Sequence, residues 1–120
     1  MKKILLILLG ISAASPVFAM TFPAMDSFSQ SEVYENWIQN RCTGKISSSK
    51  VLQNDAFKSA ATWLEVSQLP VGAFNEGDTL IDNALKIKLS GSTGGEFKVL
   101  KCSLISQSKE AKEIFNKYSK

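Results

Sequence analysis

The 120-residue chain contains no histidine. That absence removes Ser-His-Asp triads, Cys-His peptidase dyads and imidazole-based metal sites together, because each needs a ring nitrogen that titrates near neutral pH. Only two cysteines are present, Cys42 and Cys102, and no Cys-x-x-Cys spacing occurs. A redox motif or a nucleophilic thiol would lack its resolving partner or base. Beyond the N-terminal segment there is no apolar run long enough to span a bilayer, and there is no internal repeat. Nor is there a block of one charge sign: lysines alternate with Asp and Glu along the whole length. That pattern excludes the basic face by which nucleic-acid binders neutralise phosphates. An enzyme would be left with a carboxylate pair or a lysine base. Asp78 with Asp82, and Glu110 with Glu113, stand one helical turn apart, a spacing that ordinarily marks a solvated helix face. No catalytic residue, metal site or cofactor is therefore assigned.

What is present begins with a destination. Lys2 and Lys3 form a positive start, residues 4–14 an apolar stretch too short to cross a membrane, and Val17-Phe18-Ala19 a small-residue cleavage site after Pro16. Residues 1–19 are expected to be a secretory signal peptide, leaving one domain over residues 20–120 in the periplasm, with no membrane attachment after cleavage. Of fourteen basic residues two belong to the leader, so twelve face eleven acidic ones in the mature chain. The basic character of the whole is mostly that of the leader.

A domain of about a hundred residues carries a small core and gains from a staple. In an oxidising compartment Cys42 and Cys102 are each other's available partner, and pairing them closes a 60-residue loop. The chain-entropy estimate for such a loop is roughly 4 kcal/mol.

The apolar spacing is helical throughout, which predicts an all-α bundle of four to five helices. The first helix is expected over residues 31–41, with Val33, Tyr34, Trp37, Ile38 and Cys42 inward. The second begins at Val51 or Asn54 and runs to Gln68, with Phe57, Ala60, Ala61 and Leu64 as its stripe, ended by Leu69-Pro70. The third is expected over residues 71–89, overriding the short alternation of Leu85, Ile87 and Leu89, with Gly77 as its weak point. The fourth covers residues 95–106, where Phe97, Leu100, Lys101 and Leu104 fall at i, i+3, i+4 and i+7. A last short helix follows a cap in residues 106–108. Trp37 and Trp63 are read as core residues.

Between the third and fourth helices lie Ser90, Gly91, Ser92, Thr93, Gly94, Gly95 and Glu96, three glycines and three small hydroxyl residues before a carboxylate. Such a loop reaches backbone conformations closed to bulkier residues and offers donors and acceptors with little bulk. It is the candidate partner-binding segment; a plain connection between antiparallel helices has the same composition.

Several fragments taken in order carry a resemblance. Trp37-Ile38-x-x-Arg41-Cys42, Asp55-Ala56 followed by Ala60-Ala61-x-x-Leu64-Glu65, and Leu89-Ser90-Gly91 leading to Phe97-x-x-x-Lys101-Cys102 are similar to the Tai family of type VI secretion immunity proteins, in particular its fourth amidase group. The resemblance covers residues 37–117. It implies a periplasmic all-helical antitoxin that binds a papain-like peptidoglycan amidase. It further implies a homodimer holding two toxin molecules as a heterotetramer, with a protruding loop in each substrate groove; by position that loop is residues 90–96. A small periplasmic acid-stress chaperone shares the leader, size, helices and single disulfide, and stands as the alternative.

Overall fold

The computed structural model describes residue 10 and residues 19–89 and 95–120. The leader segment and Ser90, Gly91, Ser92, Thr93 and Gly94 of the candidate loop otherwise lie outside the described residues. A 3-10 turn, Met25–Ser27, leads into α1, Gln30–Ile46, then α2, Lys50–Glu65, α3, Val71–Leu85, α4, Lys98–Ser106, and α5, Lys109–Tyr118. No β-strand occurs among the described residues. The fold is the expected all-α bundle with one disulfide.

Local chemistry explains the helix starts. Ser29 accepts from the Glu32 amide at 3.1 Å while the Glu32 carboxylate accepts from the Ser29 amide at 2.8 Å, a reciprocal capping box. Ser49 caps α2 through the Leu52 amide and Ser108 caps α5 through the Ala111 amide. The serine run is thus a turn and a cap, and the short link folds α2 back on α1. Gln30 ties the far end of this hairpin, donating to the Val66 carbonyl at 3.2 Å and accepting from the Gln68 amide at 2.7 Å.

Helix α1 is the central element, packing on each of the other four. Its buried Tyr34, Trp37, Ile38 and Cys42 meet Ala60 of α2, Ala73, Phe74 and Ile81 of α3, Cys102 and Ile105 of α4, and Ala111 of α5. Trp37 and Phe74 meet edge to face with centroids 4.9 Å apart, and Trp63 does the same with Phe28 at 5.0 Å. Trp37 is core, as expected, and Trp63 packs half-buried against it. Burial pushes the Tyr34 phenol well above its ordinary pKa, so it remains a donor to the Ala73 carbonyl at 2.7 Å. The bridge between Cys42 and Cys102 joins the last part of α1 to α4.

Four expectations are corrected. Helix α1 runs a full turn beyond Arg41, because Gly44 lets the Phe57 ring sit where a Cβ would lie within 2.4 Å of it. Helix α3 stops at Leu85 rather than Leu89, its last turn tightened by the Lys86 and Ile87 amides bonding to Asn83 and Ala84. The α4 stripe is also turned: Lys101, Cys102, Ile105 and Ser106 are buried while Phe97, Leu100 and Leu104 are exposed. The disulfide fixes which side of α4 faces α1, and two residues along a helix is about 200° away. Leu100 and Leu104 flank Cys102 by that offset and so point outward. In α2, Ala61 and Leu64 are likewise exposed, and Ala56 and Ala60 make the close contact.

Helix α5 is held to α3 by Glu76, which accepts from Lys117 Nζ at 2.8 Å. The hydrogen bond from Lys117 holds the Glu76 carboxyl below its ordinary pKa of 4.5, and the same contact raises Lys117. A depressed carboxylate stabilises the fold above its unfolded pKa and loses that contribution as pH falls through the folded value; the raised lysine contributes below its unfolded pKa and is lost on the alkaline side. On acidification from neutral pH, amides of α5 are expected to lose hydrogen-exchange protection before those of α1. Glu76→Gln should remove that pH dependence. Simultaneous loss in both helices would contradict the clamp.

Candidate functional site

The site is built where α3 ends and α4 begins. Gly95 and Glu96 are the candidate loop residues within the described part, and both are exposed. Gly95 has φ +85°, the left-handed region that favours glycine, and a Cβ built there would meet nothing within 4 Å. Conformation, with no packing contact, accounts for glycine at this position. The Phe97 amide donates to the Leu89 carbonyl at 3.0 Å, closing the base of the loop.

Beneath this closure lies Lys101, only 5 % exposed. Its Nζ donates to Glu96 Oε1 at 2.8 Å, to the Leu85 carbonyl at 3.4 Å and to the Ile87 carbonyl. The Leu85 carbonyl, the last of α3, is beyond the reach of the tightened final turn, and a cation there also meets the negative end of the helix dipole. Hydrogen bonding to Lys101, with smaller contributions from the Lys101, Lys98 and Lys88 charges, holds the Glu96 carboxyl below its ordinary value. Glu96 is therefore a tied carboxylate at neutral pH.

Around the closure the surface is apolar and lysine-rich. Ile87 is 67 % exposed and Val99 71 %, with Leu100 and Leu104 beside them and Lys86, Lys88 and Lys98 interspersed. A groove of about 380 Å³ runs along Leu80, Ala84, Ile87, Leu89, Leu104 and Ile105. Exposed apolar surface gathered at one end of a small domain marks a contact face. A second groove, about 440 Å³, separates α2 from α3, lined by Trp37, Phe57, Leu64 and Phe74 with Arg41 and Asp78 at its edge.

Of the carboxylates that spacing singled out, Asp78 stands at the edge of the larger groove and Glu110 at that of the smaller one, and neither pair faces across one cleft. Asp78 pairs with Arg41 at 2.8 Å and with Lys45 at 3.4 Å, and Asp82 pairs with Lys45 at 2.6 Å. Arg41 also lies over the Phe57 ring at 4.8 Å. These groups brace α1 against α3. Glu113 faces Lys109 at 3.7 Å across one exposed turn of α5. Sequence reasoning placed Lys101 in the apolar stripe of the fourth helix; it missed that the ammonium itself is buried and ties the chain on both sides of residues 90–94. The available signal was a lysine beside a bridged cysteine and five residues after a glutamate.

The described part is a stapled helical bundle in which Glu76, Asp78, Asp82, Glu96 and Glu113 are engaged in ion pairs and the base of the loop is tied, a build suited to binding another protein. Comparison with known proteins gives it a family. Residues 32–115 match the Tai4 family, described as type VI secretion system amidase immunity protein, and the chain belongs to that family. It is 45 % identical, with TM-score 0.76, to a chain of the Enterobacter cloacae Tae4–Tai4 effector–immunity complex, over 79 % of this chain and 97 % of that one. The same identity and TM-score relate it to a chain of the complex between Salmonella typhimurium effector Tae4 and Enterobacter cloacae immunity Tai4, covering 79 % and 98 %. The Salmonella typhimurium Tae4/Tai4 structure is similar at 26 % identity and TM-score 0.72, covering 80 % and 95 %. No curated protein matches the chain.

Proposed function

We propose that this chain is exported to the periplasm and there binds and inhibits a type VI secreted peptidoglycan amidase, with the loop of residues 90–96 lying in the enzyme's substrate groove. The inhibitor performs no chemistry; it acts by occupancy. The observation that carries the reading is the closed loop base, Phe97 to Leu89 with Glu96 on Lys101, set at one end of a bundle of immunity-family build. A short loop whose ends are already fixed gives up little freedom on entering a groove. Family membership supports this reading over the acid-stress chaperone. The functional unit is a homodimer holding two amidase molecules, and light scattering on the purified complex tests that stoichiometry.

Purified mature protein should inhibit hydrolysis of peptidoglycan peptides stoichiometrically by the amidase encoded beside its gene. Gly95→Leu tests the loop. The left-handed backbone costs a residue with a Cβ about 1–2 kcal/mol, borne at an exposed site where nothing packs. Inhibition is expected to weaken about tenfold or more while melting stays within roughly 10 °C of the parent. Unchanged inhibition would remove residue 95 from the contact.

A further inference from the structure

Among the described residues Lys101 is the sole buried charged side chain. An ammonium taken out of water costs several kcal/mol, and a lysine has three N–H groups to satisfy. All three find acceptors: the carbonyls of Leu85 and Ile87 and the Glu96 carboxylate. Two of these precede the loop in the chain and the third is its last residue. A leucine or methionine would fill the same volume beside Cys102 without the desolvation cost, so core packing alone does not account for a cation there. What the cation adds is a single point that holds both ends of the loop.

We propose that Lys101 is the positioning residue of the inhibitory loop. It touches no partner atom. It fixes the placement of the chain leaving α3 relative to the chain entering α4, and so sets the two ends from which residues 90–94 extend. The proposal rests on the inhibitory reading above for its consequence, though not for its geometry. The ammonium gathers Ile87 and Glu96 from the two sides and keeps the Leu89 carbonyl in reach of the Phe97 amide. Without it the freed carbonyls turn to water, Glu96 swings away, and the loop must be ordered at the moment of binding.

The test uses full-length mature protein carrying Lys101→Met, Glu96→Gln, or both. Hydrogen exchange is read on the free protein. The Phe97 amide is expected to lose about tenfold of its protection in each single variant, the effect of losing a charge-assisted hydrogen bond, and little more in the double variant. Ile38 and Ile81 in the core should keep theirs. Unchanged protection at Phe97, loss by the same factor at the core amides, or independent additive losses from the two substitutions would each overturn the proposal. Should Lys101→Met fail to fold, Glu96→Gln, at an exposed residue, carries the same reading. In the inhibition assay with the neighbouring amidase, Lys101→Met should weaken inhibition about tenfold with melting held or raised. Parental protein that fails to inhibit would overturn the functional reading, while hydrogen exchange still decides the positioning role. Inhibition by the parent and by Lys101→Met alike would overturn the positioning role alone.

Discussion

Replacing both Cys42 and Cys102 by alanine is expected to lower the melting temperature by roughly 15–30 °C. The bridge joins residues 60 apart in the chain, a closure worth about 4 kcal/mol in the unfolded ensemble. For a domain of this size each kcal/mol moves melting by about 4–8 °C. The folded state adds a reason for the full effect. Both sulfurs sit in the central cluster, and they join α1 to the short helix that carries the loop. Helix α4 has nine residues, too few to persist without tertiary contacts, and much of its outward face is in solvent. Thermal unfolding followed by circular dichroism checks the prediction. A drop under about 5 °C would mean that packing of Ile105 and Lys101 alone suffices to hold α4.

Much of the bundle is legible in the sequence because helices leave two kinds of mark, a spacing of apolar residues and a punctuation of caps. The inward face of α1 follows from its spacing, and the serines that start α2 and α5 act as caps where they stand. The face of α4 was ambiguous for a physical reason. Phe97, Leu100 and Leu104 form one stripe, Cys102 and Ile105 another, and periodicity cannot choose between stripes. A covalent bond to α1 does choose. The end of α3 was hidden similarly: the apolar alternation of Leu85, Ile87 and Leu89 continues past it, while the group that donates to its last carbonyl, Lys101, lies sixteen residues on from Leu85. The candidate loop could be located by composition, whereas burial of the ammonium beneath it is a tertiary fact, marked locally only by a lysine beside a cysteine and five residues after a glutamate. The exposed Ile87 and Val99 belong to the same class, since solvent exposure of an apolar residue depends on what fails to cover it.

Gly77→Ala should destabilise the protein by about 1–5 kcal/mol, although alanine is the better helix former. In an exposed helix interior that change gains about 1 kcal/mol. Here a Cβ would lie 2.7 Å from Trp37 Cζ3 and 2.8 Å from Tyr34 Oη, inside contact distance of two buried rings. Neither ring is free to yield. Trp37 is wedged edge to face against Phe74, and Tyr34 is held by its bond to the Ala73 carbonyl, one turn before Gly77 on the same helix. Displacing the phenol leaves a buried hydroxyl and a carbonyl unpaired, which costs about 1–3 kcal/mol beyond the steric repacking and outweighs the propensity gain. Gly72→Ala is the control. Its Cβ would also approach a tyrosine at 2.7 Å, but that ring belongs to Tyr118, half-buried in the last turn of α5. Tyr118 can swing outward, so the change should stay within about 1 kcal/mol. Urea unfolding of the two variants measures the difference. Equal effects would mean that the Trp37 and Tyr34 rings move as easily as the end of α5. Gly77, which reads as the weak point of its helix, would then be one in fact, not the place where α3 comes closest to α1.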